Sequence, residues 1–451
     1  MTLFARFKLP LLDIWAGAIA ALVFYAEYVG YGASIGSKLP GLGQTGNALG
    51  TVMVFGAVLV CGIGSLFNRG VILSGTRSAS TMVFVSWLDI ASQWSDVSNR
   101  MSMVSTGTVV MLLVASALQL LGTHGWIRKK IASAPVALTK GFMYASAVSI
   151  MAGLVQKQLA GCIESNMPLT FVIFVGSVAI GVLLPWACEK SEISKPFAAL
   201  GLPVAVIAAW ATFAWLQSSF STQGLSHCNT LGSSGLQWDA FVQHMPFGPY
   251  AGKAFNEVDL RVLALAVVFG LALGIVLLIE SLTALESMNI GPDNTVGVVE
   301  SDWARQMRIS AAVNLASSVV GLACSSLSTS RSKLLTQAGG SSRLASFSHG
   351  LSLIAIAVIA LPWMAKIPVI AIGVALALVA IQMIDAKMVN LIWQPGYRAD
   401  AARESLWSVW WFWSVVLIGA FTEWPILALI VATGLFWLLS KLSPKASRKR
   451  L

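Results

Sequence analysis

Charge is what this 451-residue sequence has least of. Asp, Glu, Lys and Arg make up 11% of it, against roughly 25% in a soluble domain. That excludes a water-facing globule, because there is too little polar surface to cover one. Histidine is nearly missing, and His124, His227, His244 and His349 are scattered without paired spacing. With no metal-ligand cluster and no nucleophile–base arrangement, the sequence argues against an intramembrane enzyme and implies no resident cofactor. The cysteines number five. Cys61, Cys188 and Cys324 lie in or beside apolar runs, whereas Cys162 and Cys228 fall in loops expected to face outside. An oxidising exterior permits a Cys162–Cys228 disulfide, and two free thiols are the alternative.

Apolar residues are abundant instead, at 57% with a mean hydropathy of +0.78. Runs of about 20 apolar residues, each sufficient to cross a bilayer as a helix, recur along the chain. We read fourteen membrane segments, near 12–33, 47–66, 71–92, 105–123, 135–156, 168–187, 196–217, 261–288, 305–322, 323–338, 346–363, 367–385, 405–421 and 424–441. The expected fold is an all-α polytopic membrane protein. The first run follows Arg6 and Lys8 but carries Glu27 and no small-residue cleavage site, so it reads as a span and not as a cleaved signal. The net charge of +10 reports orientation before it reports nucleic acid, which we do not expect as a partner. With both termini cytoplasmic, most Lys and Arg fall inside, including Arg128, Lys129, Lys130, Arg305, Arg308 and the tail from Lys441. The expectation is an integral protein of a bacterial inner membrane, with the lipid bilayer as partner and a homodimer compatible with it.

Four charges lie where charge is expensive, at about 2.5–3.5 kcal/mol each at mid-bilayer on insertion scales. Glu27 sits inside the first span and Glu280 inside the eighth. A carboxyl held there can exchange protons or bind a cation such as Na⁺, so Glu280, with Glu27, is the candidate coupling group. Glu27 is equally open to a structural role as a hydrogen-bonded carboxyl on a helix interface, whereas Glu280 has no solvated exit and reads first as functional, with pairing to an Arg as its alternative. Arg77 lies in Ser74-Gly75-Thr76-Arg77-Ser78-Ala79-Ser80, and Arg331 follows Ser325-Ser326-Leu327-Ser328-Thr329-Ser330. In both segments a strand-like stretch reaches a Ser/Gly run and resumes as a more apolar helix. A half-helix starting at mid-membrane points free backbone N–H groups and partial positive charge at that level, which is an anion site. Candidate binding residues are therefore Arg77, Ser78, Ala79, Ser80, Ser326, Leu327, Ser328 and Arg331. The competing reading is that each Arg neutralises Glu27 or Glu280.

The two broken segments are third and tenth of fourteen, at matching places in two halves of seven. Such placement points to a site between inverted repeats, and an odd number per half requires the second to be inverted. We expect a first repeat over 1–218, an extracytoplasmic loop over 219–260, a second repeat over 261–441 and a basic tail over 442–451.

Several stretches resemble the SulP family, the sulfate permease group that includes prestin. The most specific is Arg331-Ser332, Ala338-Gly339-Gly340-Ser341-Ser342-Arg343-Leu344 and Ser348-His349-Gly350-Leu351. Ile279-Glu280-Ser281-Leu282 is similar to the eighth-span signature, Ile367-Pro368 to the opening of the twelfth, and Asp13 to Gly17 with Glu27 and Tyr31 to the first. Ala134-Pro135-Val136 through Lys140-Gly141-Phe142 is similar to the fifth. The resemblance implies seven plus seven inverted spans in core and gate domains, elevator-type movement, and an anion bound between spans three and ten. Family substrates include sulfate, bicarbonate, oxalate and dicarboxylates. By position, Arg331 would supply positive charge and Glu280 would be the coupling carboxylate. The sequence departs from the family at Arg77, which stands in place of a small hydroxyl residue, and at Ala26, in place of a Pro. No STAS domain follows the last span, so regulation through that domain is not expected. Alternatives are a nucleobase permease of the same architecture, disfavoured by a tenth span rich in Ser and not in amides, and an uncoupled anion channel.

Overall fold

The computed structural model describes residues 3–39, 44–68, 72–94, 100–126, 159–189, 200–219, 259–289, 303–364 and 367–383, with four isolated positions besides. The fifth, thirteenth and fourteenth expected segments, the loop over 220–258 and the basic tail lie outside the described residues. Nearly everything described belongs to one compact unit, Met1–Gly125 with Leu154–Leu378.

The helices are α1 (Leu3–Gly36), α2 (Gln44–Ser65), α3 (Ser78–Trp94), α4 (Arg100–Leu121), α5 (Ala160–Glu189) and α6 (Gly201–Ser219), then α7 (Leu260–Asn289), α8 (Trp303–Val320), α9 (Thr329–Gln337), α10 (Arg343–Met364) and α11 (Val369–Met383). Two strands, β1 (Leu73–Gly75) and β2 (Ser326–Ser328), precede α3 and α9. Five of these helices contain stretches long and apolar enough to cross a membrane: Pro10–Gly36, Met103–Leu121, Asn166–Cys188, Gly201–Ser218 and Leu260–Leu282. The sixth expected segment starts earlier than its apolar run suggests, because α5 includes a first turn before non-helical backbone at Asn166. There the Asn166 side chain accepts from the N–H of Leu169, supporting the restart at Pro168.

The third and tenth segments are each a short strand leading into a short helix. Three residues cannot form a stable strand alone, and they do not have to. β1 and β2 pair antiparallel, Leu73 with Ser328, Ser74 with Leu327 and Gly75 with Ser326. This satisfies backbone groups that have no water at that depth.

The packing repeats with the two halves exchanged. α1 packs on α10 as α7 packs on α4, and α2 packs on α10 as α8 packs on α4. α1 contacts α9 as α7 contacts α3, while α2 meets α8 and β1 meets β2 across the centre. An inverted duplication produces this pattern, with an antiparallel strand pair at its middle. The interfaces are close because small residues meet. A Cβ on Gly50 would lie 2.1 Å from the carbonyl oxygen of Gly32, so α1 and α2 touch backbone to backbone there.

Candidate functional site

Antiparallel pairing sends α3 and α9 away from the strand pair in opposite directions, so their N-termini face each other along it. Each contributes unsatisfied N–H groups and about half a positive charge. Ser328 caps α9, accepting from the N–H of Arg331. At α3, Ser80 Oγ donates to the Arg77 carbonyl and accepts from the Arg77 N–H at 3.4 Å.

The four membrane charges meet at this junction as two pairs crossed between the halves. Arg331 Nη2 donates to Glu27 Oε1 at 2.6 Å, and Nη1 donates to the Thr76 carbonyl beyond β1 at 2.8 Å. Its guanidinium stacks 4.6 Å from the Tyr28 ring centroid and 5.4 Å from that of Phe24. Tyr31 donates to the same Glu27 oxygen at 2.5 Å. On the other side, Arg77 Nη1 donates to the Leu327 carbonyl of β2 at 3.3 Å. Its Nε lies 3.9 Å from Glu280 Oε1, and Ser326 Oγ donates to Glu280 Oε2 at 2.6 Å. Glu27 and Glu280 are separated by the same sequence interval as Ser74 and Leu327, the central pair of the two strands. The pairs are therefore images of one another.

They are not equal. The Arg331 side chain is 2% exposed and its contacts are short, whereas Arg77 is 25% exposed and touches Glu280 only at 3.9 Å. A close, buried, hydrogen-bonded pair resists opening, because separating it leaves an uncompensated charge in a dry environment. The looser pair exchanges partners more readily. Arg77 is thus the cation with surface and binding capacity left, while Arg331 is committed to Glu27 and Thr76.

Among the other expected site residues, Ala79, Ser80, Ser326, Leu327 and Ser328 are all buried at the junction, and the side chain of Ser78 lies outside those described. Leu327 offers its backbone carbonyl to Arg77, and its side chain packs inward. Nearby, the buried hydroxyls of Thr76, Thr81 and Ser281 have no hydrogen-bond partner among the described residues. Cys162 is disulfide-bonded, and Cys228, its expected partner, lies outside the described residues. Cys61, Cys188 and Cys324 are buried and form no disulfide. No metal-holding cluster occurs among the described residues.

Of the supporting residues, Asn314, Gln119 and Tyr28 carry no obvious mark in the sequence, whereas Asp13, Ser341, Ser342 and His349 lie in stretches the sequence singles out. Asn314 of α8 donates to the Ser325 carbonyl and accepts from the Ser325 N–H, both at 2.8 Å, gripping the chain one residue before β2. Gln119 of α4 accepts from the Asn314 amide at 2.7 Å. Tyr28 bonds His349 Nε2 at 3.3 Å, joining the Arg331 cluster to α10. Asp13 accepts from the N–H groups of Ser341 and Ser342 and from the Ser342 hydroxyl, pinning the entry to α10. For the residues not so marked, the available signal was helical spacing: Phe24 and Tyr28, like Glu27 and Tyr31, are four apart and stack along one side of α1.

A model of the sulfate permease family matches residues 140–402, more than half of the chain. Among solved structures, the transmembrane domain of a cyanobacterium bicarbonate transporter, BicA, is similar at a TM-score of 0.63 and 16% identity, covering 93% of this chain and 97% of that one. A murine Slc26a9 anion transporter in the inward-facing state is similar at a TM-score of 0.61 and 15% identity, covering 96% and 68%. A further SLC26A9 structure gives 0.60 and 14%, covering 95% and 65%. No curated protein sequence matches the chain.

Proposed function

We propose that this chain, which belongs to the sulfate permease family, is a secondary transporter of a small anion. The anion would bind where the N-termini of α3 and α9 face each other, with Arg77 as its principal cation. One observation carries the coupling. Glu280 already holds the groups an anion needs, the Arg77 guanidinium at 3.9 Å and the Ser326 hydroxyl at 2.6 Å. An entering anion must take Glu280's place on them, and two negative charges on one guanidinium repel. Protonation of Glu280, or Na⁺ bound to it, removes the conflict, so anion and coupling ion travel together. The side chains at the junction, Arg77 and Arg331 against Glu27 and Glu280, cancel formally and leave only the helix N-termini in excess. A monovalent anion entering with one cation keeps that balance, and a divalent one requires two.

The relatives support the reading: one is named a bicarbonate transporter and another an anion transporter. We retain sulfate, bicarbonate and a dicarboxylate as candidate substrates. We also retain elevator-type movement, repeats at 1–218 and 261–441, a bacterial inner membrane and a homodimer as parts of the proposal. The test is purified protein in liposomes, offered labelled sulfate, bicarbonate, succinate or uracil with pH and Na⁺ gradients applied in turn. Gradient-driven uptake of one anion is expected. Uracil uptake without anion uptake would indicate a nucleobase permease, and current indifferent to either gradient would indicate a channel.

A further inference from the structure

Away from the junction, a groove lies between α2 and α8 near the end where α2 finishes and α8 begins. The two helices meet at Gly64, where a Cβ would lie 2.4 Å from the Val313 side chain. The groove at that contact has a volume of about 860 Å³ and is walled by Ile63 and Phe67 on one side and by Arg305, Arg308 and Ala312 on the other. The wall is apolar and open to the surroundings, with Phe67 63% and Ile63 46% exposed. Its mouth is cationic.

Among the described residues neither arginine is compensated by a charge of opposite sign. The only bond either makes there is from Arg308 Nε to the Ala304 carbonyl of its own helix. Both sit in the first two turns of α8, whose N-terminus is itself positive, so nothing in the helix offsets them. An apolar trough running into a bilayer, with unpaired guanidinium groups where it reaches the headgroups, matches one molecule in shape and charge. Guanidinium groups bind phosphate oxygens bidentately, and acyl chains fill the trough.

We propose that the groove between α2 and α8 is a binding site for an anionic phospholipid. Arg305 and Arg308 hold the headgroup, and Ile63, Phe67 and Ala312 line the acyl chain. The site is independent of the anion junction, which involves none of these residues.

The test uses the purified full chain in nanodiscs and reads retained lipid by native mass spectrometry. Phosphatidylglycerol is compared with phosphatidylcholine of the same acyl chains. Wild-type protein should retain phosphatidylglycerol preferentially, and the double variant Arg305→Gln/Arg308→Gln should lose roughly thirtyfold of that preference. Ala312→Trp fills the trough and leaves both charges, and it should reduce retention of the same lipid. Arg261→Gln, at the far end of α7, should change nothing. Equal retention of both lipids by wild type would overturn the proposal. So would a preference unaffected by the double variant, or a second copy of the chain cross-linking through Ile63→Cys in place of lipid.

Discussion

The two arginine–glutamate pairs make opposite predictions at the level of single residues. Glu280→Gln keeps the Ser326 hydrogen bond and removes the titratable charge. Anion uptake should persist but stop responding to the gradient that drives the wild type, as measured by liposome flux at matched and opposed gradients. Arg77→Gln should raise the apparent KM for the anion by about tenfold or more, because a charge-assisted bond is worth roughly 1.5–3 kcal/mol. Arg331 is different in kind. Its guanidinium is buried against Glu27, Thr76 and Tyr28, and removing one partner of such a pair costs about 3–5 kcal/mol. Arg331→Met or Glu27→Gln should therefore lower the thermal unfolding midpoint in detergent, and the double variant should lose less than the two single losses combined. Equal unfolding midpoints for all four proteins would show that the pair is not structural.

At the scale of elements, the long helices and the strand-then-helix breaks were legible, and the pairing of the two strands was not. Apolar runs of about 20 residues locate α1, α4, α6 and α7 because the bilayer sets their length. β1 and β2 are three residues each, and their pairing spans some 250 positions, so no local pattern reports it. The Ser/Gly runs showed that the helices break there, and their matching placement showed that the breaks meet. Nothing in the sequence showed which arginine faces which carboxylate, since all four residues occupy similar settings. Asn314 was equally silent, being one amide in an ordinary helix. Its effect is nonetheless local to the site, because it fixes both backbone groups of Ser325 just before β2. Asn314→Leu should strand those groups at a cost of about 1–3 kcal/mol and let β2 shift. Uptake should show a raised KM, which Asn314→Gln does not restore because its longer arm cannot span the same bonds. An unchanged KM would make the clamp a matter of stability alone.

For the whole molecule, the decisive quantity is which way the chain crosses the bilayer, because it fixes the side from which anion and coupling ion arrive. The proposed orientation, drawn from the cation distribution, has both termini inside, and on it the start of α5 is outside. The disulfide at Cys162 is an independent constraint, since such bonds persist on the oxidising side of a membrane. The other described cysteines form no disulfide but are buried, so a maleimide reagent meets almost nothing until that bond is reduced. Intact cells treated with a membrane-impermeant reductant and then an impermeant maleimide should label strongly, and cells given maleimide alone should label weakly. Cys162→Ser should label without reductant, through the thiol it releases. Labelling that requires permeabilised cells would place the start of α5 inside and reverse the orientation. The Arg305–Arg308 groove would then open to the outer leaflet, and the driving gradient assigned to Glu280 would have to act from the opposite side.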